Sequence, residues 1–580
     1  MEVSVKFILA AVNAKYIHSN PAIYSLRACV EEEHRKSVEL AEYTINQPMQ
    51  EILADLYARK PDAIGFSCYI WNWRMVREML AELPKILPGT ALWLGGPEVS
   101  WGADVILDSY PQLSGIMAGE GEDTFRELMS FYMGEGQLDK IRGLYLHSGY
   151  TGCRELTDFS KIPFLYDDLE PFENRIIYYE SSRGCPFDCS YCLSSVEKKV
   201  RFRNISVVKR ELQFFLDHKV RQVKFVDRTF NCRHEHAMEI WKYIYEHDNG
   251  VTNFHFEISA DILRQEETAL LGRFRPGLAQ LEIGVQSVNP RTLEAVHRRT
   301  DLERLEKNVA DIRRGGNVHQ HLDLIAGLPY EDYESFRMSF NRVYRMRPQQ
   351  LQLGFLKVLK GSGMWEKAGE YGIRYLEQPP YEVLCTKWLS YAQVLKLKRV
   401  EEMVEVYYNS AQFVHTMCFL ERAFGDPFAM YETLAEFFDG KGWTTATFSR
   451  IRRYEMLLEF VKKQDPGRLA AYRELLTYDI YLRENLKSRP DFAAELSGYQ
   501  EKIRNFYERE EREHRFLTGY EGRDRRQLGK MTHLEPFTYP VWDREQMAQG
   551  GAGGQQYFVL FDYQARDPVS LEARTQCVSI

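Results

Sequence analysis

A chain of 580 residues with 44% hydrophobic and 27% charged residues is predicted to form two to four domains with sizeable cores. Its formal net charge of -8 is close to balanced for that length, which excludes a disordered chain and a general polyanion binder. No apolar run reaches the roughly 18 residues of a bilayer span, the start carries Glu2 where an export signal would be basic, and ten cysteines are too few for a disulfide scaffold, so a reducing, cytoplasmic setting is expected.

Up to about residue 145, short apolar runs (5–11, 63–67, 91–94, 115–117) alternate with helical patterns at 21–33, at 75–83 and from Asp123. That alternation predicts an α/β domain over 1–150, a doubly wound, Rossmann-like parallel sheet. Residues 151–172, with Pro163 and Pro171 among acidic residues, read as a linker. A second alternation over 173–375 offers strands at 176–180, 222–226, 253–259, 280–285, 320–325 and 349–355, separated by helix-length segments. Six such units predict a partial (β/α)6 barrel. After Pro379 and Pro380 long amphipathic stretches predict a mostly α-helical domain over 376–530. The remaining 531–580 read as a tail with a flexible Gly-rich segment at 548–554 and one strand-like run at 557–563. Basic runs such as 342–347 carry apolar residues at helical spacing and read as a solvated helix face, giving no nucleic-acid signal.

Cys185, Cys189 and Cys192 stand at C-x3-C-x2-C spacing directly after the first barrel strand. Three thiolates hold three irons of a 4Fe-4S cluster and leave the fourth iron open to a small molecule, whereas a structural zinc recruits a fourth Cys or His, and the nearest histidines, His218, His234 and His236, lie well downstream. The carboxyl end of a barrel strand is also where barrel active sites sit.

This loop, with Tyr191 as the aromatic before the third cysteine, resembles that of the radical S-adenosylmethionine (SAM) superfamily. The resemblance implies that SAM chelates the open iron and is cleaved to a 5'-deoxyadenosyl radical. It also implies SAM contacts from Tyr191, from Asp227 at the end of strand two, Glu257 on strand three, Glu282 and Gln286 on strand four, and Gly327 after strand five. Taken singly, each of these polar residues also reads as an ordinary strand-end hydrogen bond or salt bridge, and Gly327 as a turn.

In the N-terminal sheet, His18, Ser67, the run Gly95-Gly96-Pro97-Glu98 and the run Gly119-Glu120-Gly121-Glu122 gather at carboxyl ends of strands, where doubly wound sheets bind ligands. The arrangement resembles the cobalamin-binding domain that precedes the radical core in one branch of the superfamily, over roughly residues 3–375. The string Asp-x-His-x-x-Gly, whose histidine binds cobalt in other cobalamin enzymes, is absent. A base-off corrinoid without a protein ligand is therefore implied, His18 being the one nearby candidate for an exception. Trp71 and Trp73 read equally as corrin neighbours or as core.

The family implies methyl transfer to an unactivated centre of an unknown substrate, or a cobalamin-dependent cyclisation or rearrangement. It also implies an electron donor such as flavodoxin or ferredoxin and an oxygen-poor, anaerobic cell. Two further readings stand beside it. One is a methylthiotransferase with a second cluster on Cys29, Cys68 and Cys153; the other is a non-catalytic corrinoid or iron-sulfur sensor. The C-terminal helical region is similar to an accessory domain of unknown function, in which His415, Arg422 and Asp426 are substrate candidates.

Overall fold

The computed structural model describes residues 5–444, 446–549 and 554–580. Most of the Gly-rich segment (550–553) lies outside the described residues.

The first sheet contains β1 (Phe7–Asn13), β2 (Val38–Thr44), β3 (Ala63–Ser67), β4 (Ala91–Gly95), β5 (Leu113–Met117), β6 (Leu144–Leu146) and β7 (Gly149–Tyr150), in the spatial order 2-1-3-4-5-6-7. The strands are parallel through β5, with an antiparallel β6–β7 edge. β1 is buried along its whole length because helices cover both faces: Ile8, Ala10 and Val12 join one core, and Phe7, Leu9 and Ala11 the other. The strand order reverses beside β1, and the crevice at the carboxyl ends of β1 and β3 is the ligand position of such a sheet. β2 is absent from the sequence reading. The helix expected over 21–33 ends at Ala28, and the one expected over 75–83 runs Trp73–Ile86.

The second body begins with β8 (Ile177–Tyr179) and a short antiparallel pair, β9 (Ser182–Arg183) and β10 (Arg201–Phe202). It continues through β11 (Gln222–Phe225), β12 (Asn253–Ile258), β13 (Ala279–Gln286), β14 (His319–Ala326) and β15 (Gln350–Phe355). The strands β8, β11, β12, β13, β14 and β15 lie side by side in sequence order, all parallel, as an open sheet of six. Burial alternates strictly along β12, β13 and β14. Phe254, Phe256, Leu281, Ile283, Leu322 and Leu324 pack outward in the core, and the half-buried polar residues His255, Glu257, Glu282, His321 and Asp323 take the opposite face.

Two short strands, β16 (Arg374–Tyr375) and β17 (Val383–Cys385), lead into helices that include Tyr391–Val404, Pro427–Gly440, Arg450–Gln464 and Leu469–Arg483. Their apolar faces merge with the outer barrel core: Val394, Leu397, Phe428 and Tyr431 belong to the same cluster as Phe336, Phe340 and Tyr344. The expectation of a tail over 531–580 is corrected. Strands β18 (Thr532–Phe537), β19 (Tyr557–Arg566) and β20 (Ala573–Val578) form an antiparallel sheet, and Phe537, Val559, Phe561 and Ala573 enter the helical core. Among the described residues no helix is long and apolar enough to cross a membrane, and all ten cysteines are free.

Candidate active site and cofactor cavities

Residues 184–200 form a loop that leaves β9 and returns as β10, and this loop carries Cys185, Cys189 and Cys192. Gly184 opens it at φ +100, and a Cβ there would lie 2.6 Å from the Lys199 carbonyl, so the two limbs cross only over glycine. The Ser190 N–H donates to Val296 O at 3.0 Å and Met364 N–H donates to Ser190 O at 2.6 Å, tying the loop tip to the barrel exits. Cys185 and Cys189 are buried and Cys192 is half-buried; burial pushes the Cys185 thiol up.

All three cysteines line one cavity together with Tyr191, Arg228, Glu257, Glu282, Gln286, Arg298 and Asp323. No fourth Cys and no His joins them among the described residues lining it. A lone zinc on three thiolates would draw the sulfurs to about 3.8 Å of one another, as 2.3 Å bonds at tetrahedral angles require. Among the described residues the one Cys/His/Asp/Glu trio whose ligand atoms fall within 4.8 Å is Glu282, His321 and Asp323. The three cysteines do not form such a trio, and with no fourth Cys or His among the described residues lining their cavity the loop fits a cluster with one open iron better than a closed zinc site.

Glu282 is held near pKa 2: burial raises it, but the His255 hydrogen bond and Lys224 outweigh burial, both at 3.0 Å. Glu257, on the neighbouring strand, has no such partner, and burial followed by the charge of Glu282 lifts it to about 7. At β13 the register slips between Gly284 and Gln286, and Gln286 takes φ +73. A Cβ on Gly284 would meet the Gln286 amide at 2.3 Å and Arg298 at 3.6 Å, so the missing side chain makes room for both groups. Arg298 reaches Tyr191 Oη at 3.5 Å and Cys189 Sγ at 3.8 Å, and also donates to Gly284 O. Gln286 Oε1 and Arg298 Nε are buried with no hydrogen-bond partner, which suits a cavity whose polar ligand completes them, whereas Asp323 Oδ1 is paired with His321 Nε2 at 2.9 Å.

Two of the expected SAM residues lie elsewhere. Asp227 is 1% exposed, and its carboxylate accepts hydrogen bonds from Ser181 N (2.9 Å), Ser181 Oγ (2.8 Å) and Ser182 Oγ (2.5 Å), so it braces the start of the cysteine loop and does not line the cavity. Gly327, at φ +90, has Val383 of the accessory region 2.8 Å from where its Cβ would be.

A second cavity, of about 670 Å³, lies over the carboxyl ends of the first sheet. Ser67, Gly95, Gly96, Pro97, Gly119, Glu120, Gly121 and Glu122 line it, as does Cys153. Gly119 stands at φ +80 with open space where a Cβ would be. Glu98 does not line it: the carboxyl is buried and accepts from Tyr381 Oη. A third cavity, of about 500 Å³, lies between the first sheet, the 159–166 segment and β8. His18 lines this one, with its Nδ1 2.6 Å from Tyr178 Oη; burial, then Lys15 and Lys224, lower its pKa. Tyr69 and Trp71 stack at 4.3 Å along its wall, whereas Trp73 is core. Tyr69, Ala22 and Glu122 are common to the second and third cavities, and Arg228 is common to the third and the cysteine cavity. The three spaces therefore lie in series from the first sheet to the thiols, each sharing wall residues with the next.

Other expected residues resolve as structure. Asp426 caps the Pro427–Gly440 helix, Arg422 donates to Met547 O, and His415 Nδ1 is 3.0 Å from buried Asp479. Cys68 is buried with its thiol on Phe66 O, and neither it nor Cys29 lines the first sheet's cavity. Arg298 and Arg228 escaped the sequence reading, since nothing local separates Arg298 from the neighbouring Arg299, or Arg228 from the basic residues around it.

Comparison with known families places three models along the chain: a B12 binding domain over 8–129, the radical SAM superfamily over 179–343, and a protein of unknown function, DUF4080, over 369–561. Among curated proteins, the cobalamin-dependent radical SAM methyltransferase TokK of Streptomyces tokunonensis is 22% identical, over 78% of this chain and 70% of that protein. The 2-(S-pantetheinyl)-carbapenam-3-carboxylate methyltransferase of Streptantibioticus cattleyicolor is 21% identical, over 82% and 74%. Among solved structures, the cobalamin-dependent SAM radical enzyme OxsB, with aqua-cobalamin and SAM bound, shares the fold at a TM-score of 0.56, with 14% identity over 84% of this chain and 77% of that one. The chain thus carries, in this order, a B12 binding domain, a radical SAM domain and a DUF4080 region, with its three thiols lining one cavity of the second.

Proposed function

We propose that the protein is a cobalamin-dependent radical SAM methyltransferase acting on an unactivated centre of its substrate. The observation that carries this reading is the series of cavities: the cysteine cavity meets the interdomain cavity at Arg228, and the latter meets the first sheet's cavity at Tyr69. When bound, the cluster supplies the electron that splits the SAM sulfonium and the corrinoid supplies methyl-carrier chemistry.

The chain's own residues bind and orient. Cys185, Cys189 and Cys192 hold the cluster. Arg298, buried beside Cys189 and Tyr191, is the cation for the SAM carboxylate, and Glu257 and Glu282 are acceptors for its ammonium and hydroxyl groups, with Gln286 beside them. Ser67, Gly95, Gly96, Pro97, Gly119 and Gly121 cradle the corrinoid tail, and Tyr69, Trp71 and His18 border the corrin. Bringing both cofactors to one place is the catalytic contribution of the two-domain arrangement. A low-potential donor of the flavodoxin or ferredoxin kind and an oxygen-poor cytoplasm complete the reading.

The test is metal content after anaerobic purification and reconstitution. About four iron and about one cobalt per chain are expected. About eight iron without cobalt would replace this reading with a two-cluster enzyme.

A further inference from the structure

Glu120 and Glu122 sit at the lip of the first sheet's cavity, where the sequence suggests ligand contacts, yet their carboxylates are committed to the radical domain. Arg183 Nη2 is 2.8 Å from Glu122 Oε1, and Arg183 Nη1 is 3.4 Å from Glu120 Oε1. Arg201 Nη1 donates to Glu120 Oε2 at 2.9 Å and to Thr157 O at 2.7 Å, while Thr157 N–H donates to the same Glu120 oxygen at 2.8 Å. Arg201 is 12% exposed and Glu122 is 8% exposed, so these pairs are little screened by solvent.

The placement of the two arginines gives the contacts their meaning. Arg183 and Arg201 are register partners in β9 and β10, the two strands that form the stem of the loop carrying all three cysteines. Both sides of the stem are therefore fastened to one turn of the N-terminal domain, and within the same loop Leu193 and Val196 line the N-terminal cavity. Arg201 lines none of the three cavities. Its planar fork spans Glu120 and the Thr157 carbonyl, a geometry that lysine cannot reproduce.

We propose that Arg201 is a positioning residue: through Glu120 it holds the cysteine loop against the N-terminal domain and so sets the placement of the cluster relative to the corrinoid. The inference rests on the function proposed above.

The test uses the full chain reconstituted with iron, sulfide and cobalamin, reduced without SAM, as wild type, R201Q and R201K. Iron and cobalt are quantified first, then the microwave power saturation of the cob(II)alamin EPR signal is measured with the cluster oxidised and reduced. In wild type the reduced cluster speeds relaxation of the cobalt spin. In R201Q with full metal loading that enhancement is lost or broadly distributed, and in R201K it is intermediate; a merely structural role would lower stability and leave the relaxation of loaded protein unchanged. Wild-type relaxation in fully loaded R201Q overturns the proposal alone. If R201Q does not load, R201K decides: reduced enhancement supports the proposal and wild-type behaviour overturns it. Absence of cobalt from reconstituted wild type overturns both this inference and the proposed function.

Discussion

Asp227→Asn separates a ligand role from a bracing role. Burial lifts the Asp227 carboxyl to about 7, against the hydrogen bonds from Ser182 and Ser181, which favour the charged form. A carboxyl whose folded pKa lies above its unfolded value holds its proton better when folded, so its ionisation works against folding. The sign follows: the stability cost is absent below the unfolded pKa of 3.8, grows as pH rises, and is complete above about 7. A shift of roughly three units is worth about 4 kcal/mol at most. Asparagine keeps the acceptor for Ser181 N–H and has no charge to bury, and both serine hydroxyls can turn to accept from its amide. The variant should therefore match or trail wild type near pH 4 and exceed it near pH 8, in steps of roughly 2–4 °C per kcal/mol for a domain of 150–250 residues. Melting temperatures of both proteins across that range measure the difference, and SAM affinity by equilibrium dialysis should be unchanged. A stability difference that does not vary with pH, or SAM binding lost in the variant, would refute the reasoning.

Gly184→Ala forces a Cβ to 2.6 Å from Lys199 O at φ +100, and iron retained after reconstitution should fall well below that of wild type. Arg298→Met removes a buried cation, and the loss of a charge-assisted hydrogen bond worth about 1.5–3 kcal/mol should weaken SAM binding roughly 10- to 100-fold with iron content retained. Glu257 ionises near 7, so SAM affinity measured by calorimetry should rise from about pH 6 to about pH 8, and Glu257→Gln should flatten that rise. Gly361→Ala places a Cβ 2.2 Å from the Trp101 indole at φ +82, and limited proteolysis should cut the linker between the first two domains faster.

Where the sequence was legible, the signal was local. The β13 segment Ala279–Gln286 alternates apolar and polar residues, and that period of two is all a half-buried strand requires. The cysteine spacing was equally readable, because one loop carries the whole constellation. β2 alternates only in part, since Leu40 and Ala41 stand side by side; it is an edge strand behind the acidic run 31–33, and only pairing with β1 makes it a strand. β18 carries Pro536, which argues against a strand until β19 is seen to pair with it. Charged residues at strand ends were the least decidable. Glu120, Glu122 and Asp227 look like ligands for a cofactor, yet the partners found in the fold are Arg183, Arg201, Ser181 and Ser182, which the sequence places 45 to 81 residues away. Arg298 shows the converse: it lies against Cys189, 109 residues distant, just past the short helix Pro290–Ala295 that follows β13, and has no local signature.

The central claim is that the three thiols hold a redox-active cluster that cleaves SAM in a cobalamin-binding protein. Its most direct test is the reconstituted protein, reduced under anaerobic conditions with SAM, assayed for 5'-deoxyadenosine and S-adenosylhomocysteine. The account predicts reductant-dependent 5'-deoxyadenosine in wild type and none in Cys185→Ala, Cys189→Ala or Cys192→Ala. Full iron and cobalt loading with SAM bound and no nucleoside released, with or without reductant, would contradict it.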